Sequence, residues 1–327
     1  MRAVSASPAK VILFGEHFVV NGNSAISMTI DLPTIVTAES TTTNGVTITS
    51  KNMKLEAHFS LNGTLERSTG TNAEQNLRPV YATVSSLIDK TTEGIKISIE
   101  SHVPIGMGLG SSAATAVATL SSVTTLMQKI MQKEEIFQAA YSLEKLIHGR
   151  PSGVDQATVT YGGMILYRNG KVESKLTDLP KPPLIIIGNT GKRRSTGEFV
   201  GRVTQLRAER PQEYARIAHQ AQGIANQAII ALRQGKDKEL GTLMNENQSL
   251  LKTIGVSSPS LDNLIAAALS AGALGAKLTG GGGGGCMIAL ANDATATTVA
   301  RAIKEAGGEI ITGSFVPYGV KVTDWSN

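Results

Sequence analysis

The sequence predicts an α+β fold that is built from two units. Its 327 residues exceed the roughly 150 that one domain usually takes, so two cores are expected. Strand-type runs dominate the first third, and helical spacing dominates the middle of the chain. Strands and helices alternate again near the end, which is typical of a compact α+β arrangement. A polar segment with prolines at residues 177–183 indicates the boundary between units 1–178 and 179–327.

The N-terminal unit combines short strands with helices. Apolar or alternating runs, bounded by turn residues such as Asn-Gly, predict strands at residues 10–14, 25–30, 34–38, 46–49, 55–61, 95–101 and 164–167. Apolar residues at helical spacing predict helices at residues 79–87, 112–130 and 133–147. Gly149 and Pro151 end the last of these helices, because neither residue continues a helix well.

The C-terminal unit begins with an apolar strand at residues 184–188. Helical spacing then predicts helices at residues 196–208, 212–234, 238–251, 261–271 and 296–306. Short apolar runs predict the remaining strands at residues 276–279, 286–290 and 316–322.

The composition excludes several classes of protein. Hydrophobic residues make up 41% of the chain and charged residues 17%, which excludes a disordered or collagen-like chain. No apolar run approaches the ~18 residues of a membrane span, and the first residues do not have the pattern of a secretory signal. Cys286 is the one cysteine, so no internal disulfide can form. We therefore expect a cytoplasmic protein with no membrane partner.

The charge of the chain favours a small anionic substrate over a nucleic acid. The formal net charge is +5, and aromatic residues make up only 4% of the chain. Scattered basic residues with few aromatic rings offer little to a single strand of nucleic acid. A mild positive charge suits a small anion equally well. No nucleic-acid partner is expected.

The sequence PIGMGLGSSAA, residues 104–114, is the sharpest functional feature. A predicted strand ends before it, Gly106, Gly108 and Gly110 form a loop, and a helix begins at the serines. Unpaired N–H groups at a helix start bind phosphate, and the helix dipole adds partial positive charge there. The spacing matches neither the Walker pattern nor the dinucleotide-binding fingerprint. The alternative is an ordinary turn in which Ser111 caps the helix.

A second glycine-rich segment, KLTGGGGGGC at residues 277–286, lies between two predicted strands. Six successive glycines lose much conformational entropy when they are ordered. A loop that folds closely against a ligand explains such a run better than an ordinary connection does. A flexible surface loop is the alternative.

Glu144 and Asp155 form the third feature. The helix that carries Glu144 ends at the turn GRPSGVD, which brings Asp155 back toward the end of that helix. Beside a phosphate site, one carboxylate suits Mg²⁺ and the other suits accepting a proton from an attacking hydroxyl. The alternatives are a solvated helix face for Glu144 and a helix cap or turn for Asp155.

Lys10 and the sequence Gly15-Glu16-His17 form the fourth feature. Lys10 opens an otherwise apolar strand, and a lysine there is often no more than the end of the strand. If it faced Asp155, its charge would keep that carboxylate ionised. His17 either binds an anionic substrate or is a loop residue.

These features, in this order, resemble the GHMP kinase superfamily. The three motifs are PAKVILFGEH at residues 8–17, PIGMGLGSSAA at 104–114 and KLTGGGGGGC at 277–286, so the resemblance spans nearly the whole chain. The segments at residues 144–163 and 189–200 are most similar to the mevalonate kinases of the superfamily, and the short loops resemble archaeal members. The resemblance implies a GHMP kinase fold, with an N-terminal α/β domain like that of ribosomal protein S5 and a ferredoxin-like C-terminal domain.

The resemblance also implies an activity and a set of site residues. The activity is ATP- and Mg²⁺-dependent phosphorylation of the C5 hydroxyl of mevalonate, a step of isoprenoid biosynthesis, by a protein that is often a homodimer. Asp155 would be the base or would orient the hydroxyl, Lys10 would assist it, and Mg²⁺ would be held by Ser112 and Glu144. The phosphates of ATP would be wrapped by Gly106, Gly108, Leu109, Gly110, Ser111 and Ser112. The acceptor would be lined by Lys10, Glu16, His17, Ile147, His148, Asp155, Thr196, Gly280 and Gly281.

Other members of the superfamily are the main alternatives. Galactokinases share the GEH motif, and homoserine kinases resemble the second motif but typically have no aspartate at the base position. Mevalonate 3-kinases share the fold without the GEH-type motif. A ligand-sensing homologue without catalysis is expected to lose a metal-binding or base residue, whereas this chain keeps Glu144, Asp155 and Lys10.

Overall fold

The computed structural model describes residues 1–88, 93–148, 151–192 and 196–326. Within these ranges the chain forms two β-sheets with helices packed against both. None of the helices in these ranges is long and apolar enough to span a bilayer. The strands are β1 (Arg2–Phe14), β2 (Ala25–Ser40), β3 (Gly45–Ser50), β4 (Leu55–Phe59), β5 (Leu65–Thr69), β6 (Gly94–Ser101), β7 (Met164–Arg168), β8 (Lys171–Lys175), β9 (Leu184–Asn189), β10 (Gly275–Leu278), β11 (Cys286–Ala291), β12 (Glu309–Ile311) and β13 (Lys321–Ser326). The helices are α1 (Ala73–Ser85), α2 (Ser111–Leu126), α3 (Lys133–His148), α4 (Val154–Tyr161), α5 (Thr196–Glu209), α6 (Pro211–Gln234), α7 (Asp237–Thr253), α8 (Pro259–Ser270) and α9 (Ala296–Glu305).

The larger sheet has the strand order β13-β1-β2-β6-β3-β4-β5, with β7 beside β2 and β8 beside β7. Helix α2 packs across β1 and β2 and is largely buried. Its sequence is rich in alanine, serine and threonine, and such small residues let the helix lie close to the sheet. The buried hydroxyls of Thr119 and Thr124 donate to carbonyls four residues earlier, so burial leaves them paired.

The smaller sheet is antiparallel, with the order β10-β11-β9-β12. Strand β10 lies at its edge, and α7 covers that edge. The side chain of Asn245 accepts a hydrogen bond from the backbone of Ala276 at 2.9 Å, and Gln248 accepts one from Leu278 at 3.0 Å. Amide side chains of a helix thus take the place of a further strand, and the edge of the sheet is not left open.

The predicted α+β class is confirmed, and most predicted elements are present with shifted ends. The strands predicted at residues 25–30 and 34–38 are one strand, β2, whose pairing with β1 shifts register between them. Pro33 lies at this irregularity, where its missing N–H costs no ladder hydrogen bond.

Several elements differ from the prediction. The sequence patterns do not predict β5, β8, β12 or α4, which are short. Helix α1 begins at Ala73 rather than at residue 79, and Pro79 lies inside the helix instead of at its start. The strand predicted at residues 316–322 is wrong, since a strand begins only at Lys321.

The predicted boundary after residue 178 lies between β8 and β9, which belong to different sheets. The C-terminal strand does not follow this division of the chain. Although β13 lies after residue 178, it pairs antiparallel with β1 in the larger sheet. We propose that the N-terminal unit comprises residues 1–178 together with this returning strand.

Candidate active site

The first glycine loop adopts a backbone that favours glycine at every second position. Gly106, Gly108 and Gly110 have φ angles of +76°, +86° and +80°. Residues with side chains rarely adopt this left-handed region. Successive N–H groups in alternating conformations form a concave surface that binds anions. The spacing of these glycines is therefore explained by the shape of the loop.

The loop leads directly into α2, and its last glycine occupies the cap position. Gly110 precedes the helix, and among the described residues no side chain caps it. The alternative in which Ser111 caps the helix is therefore wrong. The first N–H groups of α2 are left for a ligand, at the end of the helix where the dipole favours an anion.

Lys10 and Asp155 form an ion pair directly beside this loop. The Lys10 Nζ lies 2.7 Å from the Asp155 Oδ1 and donates a hydrogen bond to the Gly108 carbonyl at 3.1 Å. Lys10 lies within β1 rather than at its start, and Asp155 lies in the first turn of α4. One buried ammonium group thus touches both the candidate base and the candidate phosphate loop.

The burial of the two partners is unequal. The Lys10 side chain is 2% exposed, whereas that of Asp155 is 37% exposed. Lys10 is enclosed by protein and holds a fixed position, because its charge is costly to leave without Asp155. Asp155 is accessible from solvent, as a group that contacts substrate must be.

Gly110 allows Lys10 to reach this position. A Cβ atom at residue 110 would lie 2.9 Å from the Cγ and 3.1 Å from the Cε of Lys10. Glycine is therefore favoured at residue 110 for two reasons. Its φ angle is positive, and the Lys10 side chain lies where a Cβ atom would need space.

The second glycine loop packs against the first. The N–H of Cys286 donates to the Met107 carbonyl at 3.2 Å, and a Cβ atom on Gly285 would lie 2.8 Å from that same oxygen. Gly282 and Gly283 lie against the backbone of Val256 and the ring of Phe199. The glycine run is therefore a closely packed element between two strands, and the alternative of a flexible surface loop does not fit these contacts.

His17 and Glu16 lie in the turn that follows β1. The Nε2 of His17 lies 3.1 Å from the Gly281 carbonyl, which joins the first motif to the second glycine loop. The Glu16 carboxylate is not exposed, because it is buried against Lys277 and Asn247. Burial lowers the pKa of the Lys277 amine, and the Glu16 carboxylate opposes that shift. Glu16 is therefore buried and cannot contact a substrate directly, which differs from the substrate contact expected for it.

Thr279 joins the two sheets at the start of this loop. Its buried hydroxyl accepts a hydrogen bond from the Ile12 N–H at 2.9 Å and donates one to the Ile12 carbonyl at 3.0 Å. One side chain therefore serves as the partner that an additional strand would otherwise supply to β1.

Thr279→Val is expected to lower the free energy of unfolding by at least the ~1–3 kcal/mol that one unpaired buried backbone group costs. Valine keeps the shape of threonine but has no hydroxyl, so both Ile12 groups lose their partner. Chemical denaturation measures the loss. Thr204→Val on the exposed face of α5 is the matched control and is expected to change stability little. Equal losses in the two variants would contradict the bridging role.

Ser112 and Glu144 lie on neighbouring helices. Ser112 is exposed in the first turn of α2, and Glu144 is half-buried on α3, which packs against α2. Among the described residues no group of three histidine, cysteine or acidic side chains is arranged to hold a metal. Mg²⁺ fits this donor set, because it commonly takes one or two protein oxygens and completes its shell with phosphates and water.

Some expected residues lie outside what the structure describes. The side chains of Ile147, His148 and Thr196 are in this group. Conversely, the sequence patterns do not single out Asn247 or assign a role to Lys277 and Thr279. A lysine within a short apolar strand was the available signal for Lys277.

Two family models match the chain. The model described as GHMP kinases N terminal domain matches residues 78–163, and the one described as GHMP kinases C terminal matches residues 228–309. A mevalonate kinase from Pyrococcus furiosus is 40% identical to this chain, and the match covers 99% of each chain. The chain belongs to the mevalonate kinase family of GHMP kinases. A mevalonate kinase from Thermococcus sibiricus is 38% identical over the same share of both chains.

Solved structures of this mevalonate kinase family have the same fold. The Methanococcus jannaschii mevalonate kinase superposes with a TM-score of 0.83 at 28% identity, over 97% of this chain and 99% of that one. The L. major mevalonate kinase in complex with R-mevalonate has a TM-score of 0.79 at 29% identity, over 98% of this chain and 97% of that one. The Lactococcus lactis galactokinase, at 21% identity and a TM-score of 0.81, shares the fold.

Proposed function

We propose that this protein transfers the γ-phosphoryl group of ATP to the C5 hydroxyl of mevalonate. The observation that carries the proposal is the contact of Lys10 with both Asp155 and the Gly108 carbonyl. It supports a role for Asp155 as proton acceptor and for the first glycine loop as the phosphate-binding element. Relatives named mevalonate kinase match the whole chain, and one related structure holds R-mevalonate.

The transfer needs positioning and charge neutralisation more than covalent chemistry by the protein. The N–H groups of the first glycine loop and of the α2 start hold the phosphates. The acceptor hydroxyl would lie between the γ-phosphate and Asp155. Asp155 takes its proton as the oxygen attacks the γ-phosphorus, and the bond from that phosphorus to the bridging oxygen breaks, which releases ADP. Lys10 keeps Asp155 in place, and its positive charge stabilises the alkoxide that develops.

Ser112 and Glu144 would hold Mg²⁺ beside the phosphates. Bound there, the ion supplies positive charge that offsets the phosphate oxygens. The serine hydroxyl comes from the same turn that offers N–H groups to the phosphates, so metal and nucleotide would be held by one element. ATP and Mg²⁺ are therefore expected to bind together.

Ser112→Ala is expected to raise the KM for Mg-ATP by at least the roughly tenfold that removal of a metal-site partner costs. The KM for mevalonate is expected to change much less, because Ser112 is proposed to bind the metal and not the acceptor. Steady-state kinetics with each substrate varied in turn, at several Mg²⁺ concentrations, measures both. Ser249→Ala on the exposed face of α7 is the matched control. Equal effects on both substrates would contradict the metal role.

A panel of acceptors tests the function itself. Mevalonate, phosphomevalonate, homoserine and galactose are each supplied with ATP, and the product is identified by mass. Phosphorylation of mevalonate alone is the expected result. Preference for another acceptor would assign the chain to a different reaction on the same fold, and absence of any transfer would indicate a ligand-sensing homologue.

We also propose a homodimer, on the resemblance to the family alone. Sedimentation equilibrium of the purified protein tests it. A monomer at the concentrations used for kinetics would contradict it.

A further inference from the structure

We propose that the buried ion pair of Glu16 and Lys277 positions the acceptor-binding wall that is formed by His17 and the second glycine loop. The inference rests on the proposed function, because the wall is useful only if an acceptor binds there. Neither charge is exposed at all, so neither contacts a substrate directly. The pair acts through the residues that follow it.

The pair links two distant parts of the chain. Glu16 lies in the turn after β1, and Lys277 lies in β10. One carboxylate oxygen of Glu16 faces the Lys277 Nζ, and the other accepts a hydrogen bond from the Asn247 amide at 3.1 Å. The Lys277 Nζ also donates to the Leu278 carbonyl at 2.7 Å. Both charged groups therefore have several partners in one defined arrangement.

Stability alone does not explain such a pair. Two charges that are removed from water lose hydration, and apolar residues of the same size are often equally or more stabilising. The charged pair differs from apolar residues in its dependence on geometry. An ion pair with additional hydrogen bonds is fully paired in one register only, whereas apolar side chains can pack in several. We infer that the register of the turn against β10 is what the pair supplies.

That register determines where the site wall lies. His17 follows Glu16 directly, and its ring contacts the Gly281 carbonyl. Thr279, two residues after Lys277, is bound to Ile12 of β1. The start of the second glycine loop is thus held by two contacts, that of Lys277 with Glu16 and that of Thr279 with Ile12. Loss of the pair would leave the Thr279 bridge in place but free the turn that carries His17.

Three variants test the inference, namely Glu16→Gln, Lys277→Met and the double variant. Lys51→Met, on an exposed lysine of the same ion-pair type, is the matched control. The readouts are kcat, the KM for mevalonate, the KM for ATP, the thermal midpoint, and hydrogen exchange of residues 15–18 and 279–285.

We expect each single variant to raise the KM for mevalonate by on the order of 10–100-fold, because misplacement by about 1 Å can cost that much. The KM for ATP is expected to change much less, because the second glycine loop meets Met107 of the first at Gly285 and Cys286, at the end of the loop that lies farther along the chain from the pair. The double variant is expected to regain thermal stability relative to Lys277→Met, because no charge is left unpaired, yet to retain the raised KM for mevalonate. Hydrogen exchange is expected to quicken in both segments.

A purely structural pair would give a different result. The inference is overturned if the double variant recovers the wild-type KM for mevalonate, or if both KM values change by one factor. If Lys277→Met does not fold, the double variant decides by the same criteria. Failure of the wild-type protein to phosphorylate mevalonate would overturn the proposed function instead, and hydrogen exchange of the two segments would still decide whether the pair positions them.

Discussion

Asp155→Asn is expected to lower kcat by about 10²–10⁴-fold, the usual contribution of a general base. Asparagine has nearly the same shape, and its oxygen can still accept the hydrogen bond from Lys10, but it cannot take a proton from the acceptor hydroxyl. ATP binding is expected to persist, because the first glycine loop and the start of α2 are unchanged. Steady-state kinetics measures kcat, and calorimetry measures nucleotide binding.

The matched control for this substitution is Asp178→Asn, at an exposed aspartate that pairs with Arg233. It is expected to leave kcat unchanged. Near-normal turnover of Asp155→Asn would exclude Asp155 as the base. Loss of nucleotide binding together with turnover would assign Asp155 to the support of the glycine loop, through Lys10, and not to the transfer of the proton.

Gly110→Ala is expected to have the second-largest effect, and on two properties. The left-handed backbone at φ +80° costs a residue with a side chain about 1–2 kcal/mol. The new methyl group would also lie too close to the Lys10 side chain, so the lysine must shift, and we expect this to disturb its contact with Asp155. We therefore expect lower stability together with a fall in kcat on the order of 10²-fold, since small displacements in the site are costly.

Gly170→Ala separates these two effects. Gly170 has the same φ of +80°, but a Cβ atom there meets open space. The control is expected to show the backbone strain without the loss of kcat. If Gly110→Ala loses no more stability than Gly170→Ala and keeps its turnover, then the contact with Lys10 does not position the lysine. Denaturation curves and kcat for both variants give the comparison.

Much of the candidate site follows from local patterns. The glycines at residues 106, 108 and 110 indicate a loop with positive φ angles before a helix, and the structure has that loop. The proposed pairing of Lys10 with Asp155 is also present. The loop prediction succeeds because only glycine adopts this backbone conformation easily, whereas the pairing of Lys10 with Asp155 was implied by the resemblance to the superfamily.

Other parts depend on neighbours that no local pattern reveals. The short strands β5 and β12 lie at sheet edges, where the adjacent strand rather than their own sequence specifies pairing. Strand β13 is similar, since its register against β1 depends on a segment at the opposite end of the chain. The predicted strands leave a gap that includes Pro33, and the predicted helix starts at Pro79, whereas β2 and α1 continue through these residues.

Local sequence was sufficient for the loop of Gly106, Gly108 and Gly110 and for the helix that follows it, because both depend on the conformational preferences of adjacent residues. The partner of Glu16 was specified only by the folded chain. Glu16 and Lys277 are 261 positions apart, and Ile12 and Thr279 are 267 apart, so their contacts exist only after the two sheets pack together. A buried charge needs a partner, and long-range packing determines which residue that partner is. For this reason Glu16 is buried against Lys277 and does not line the acceptor site, in contrast to what the resemblance had implied.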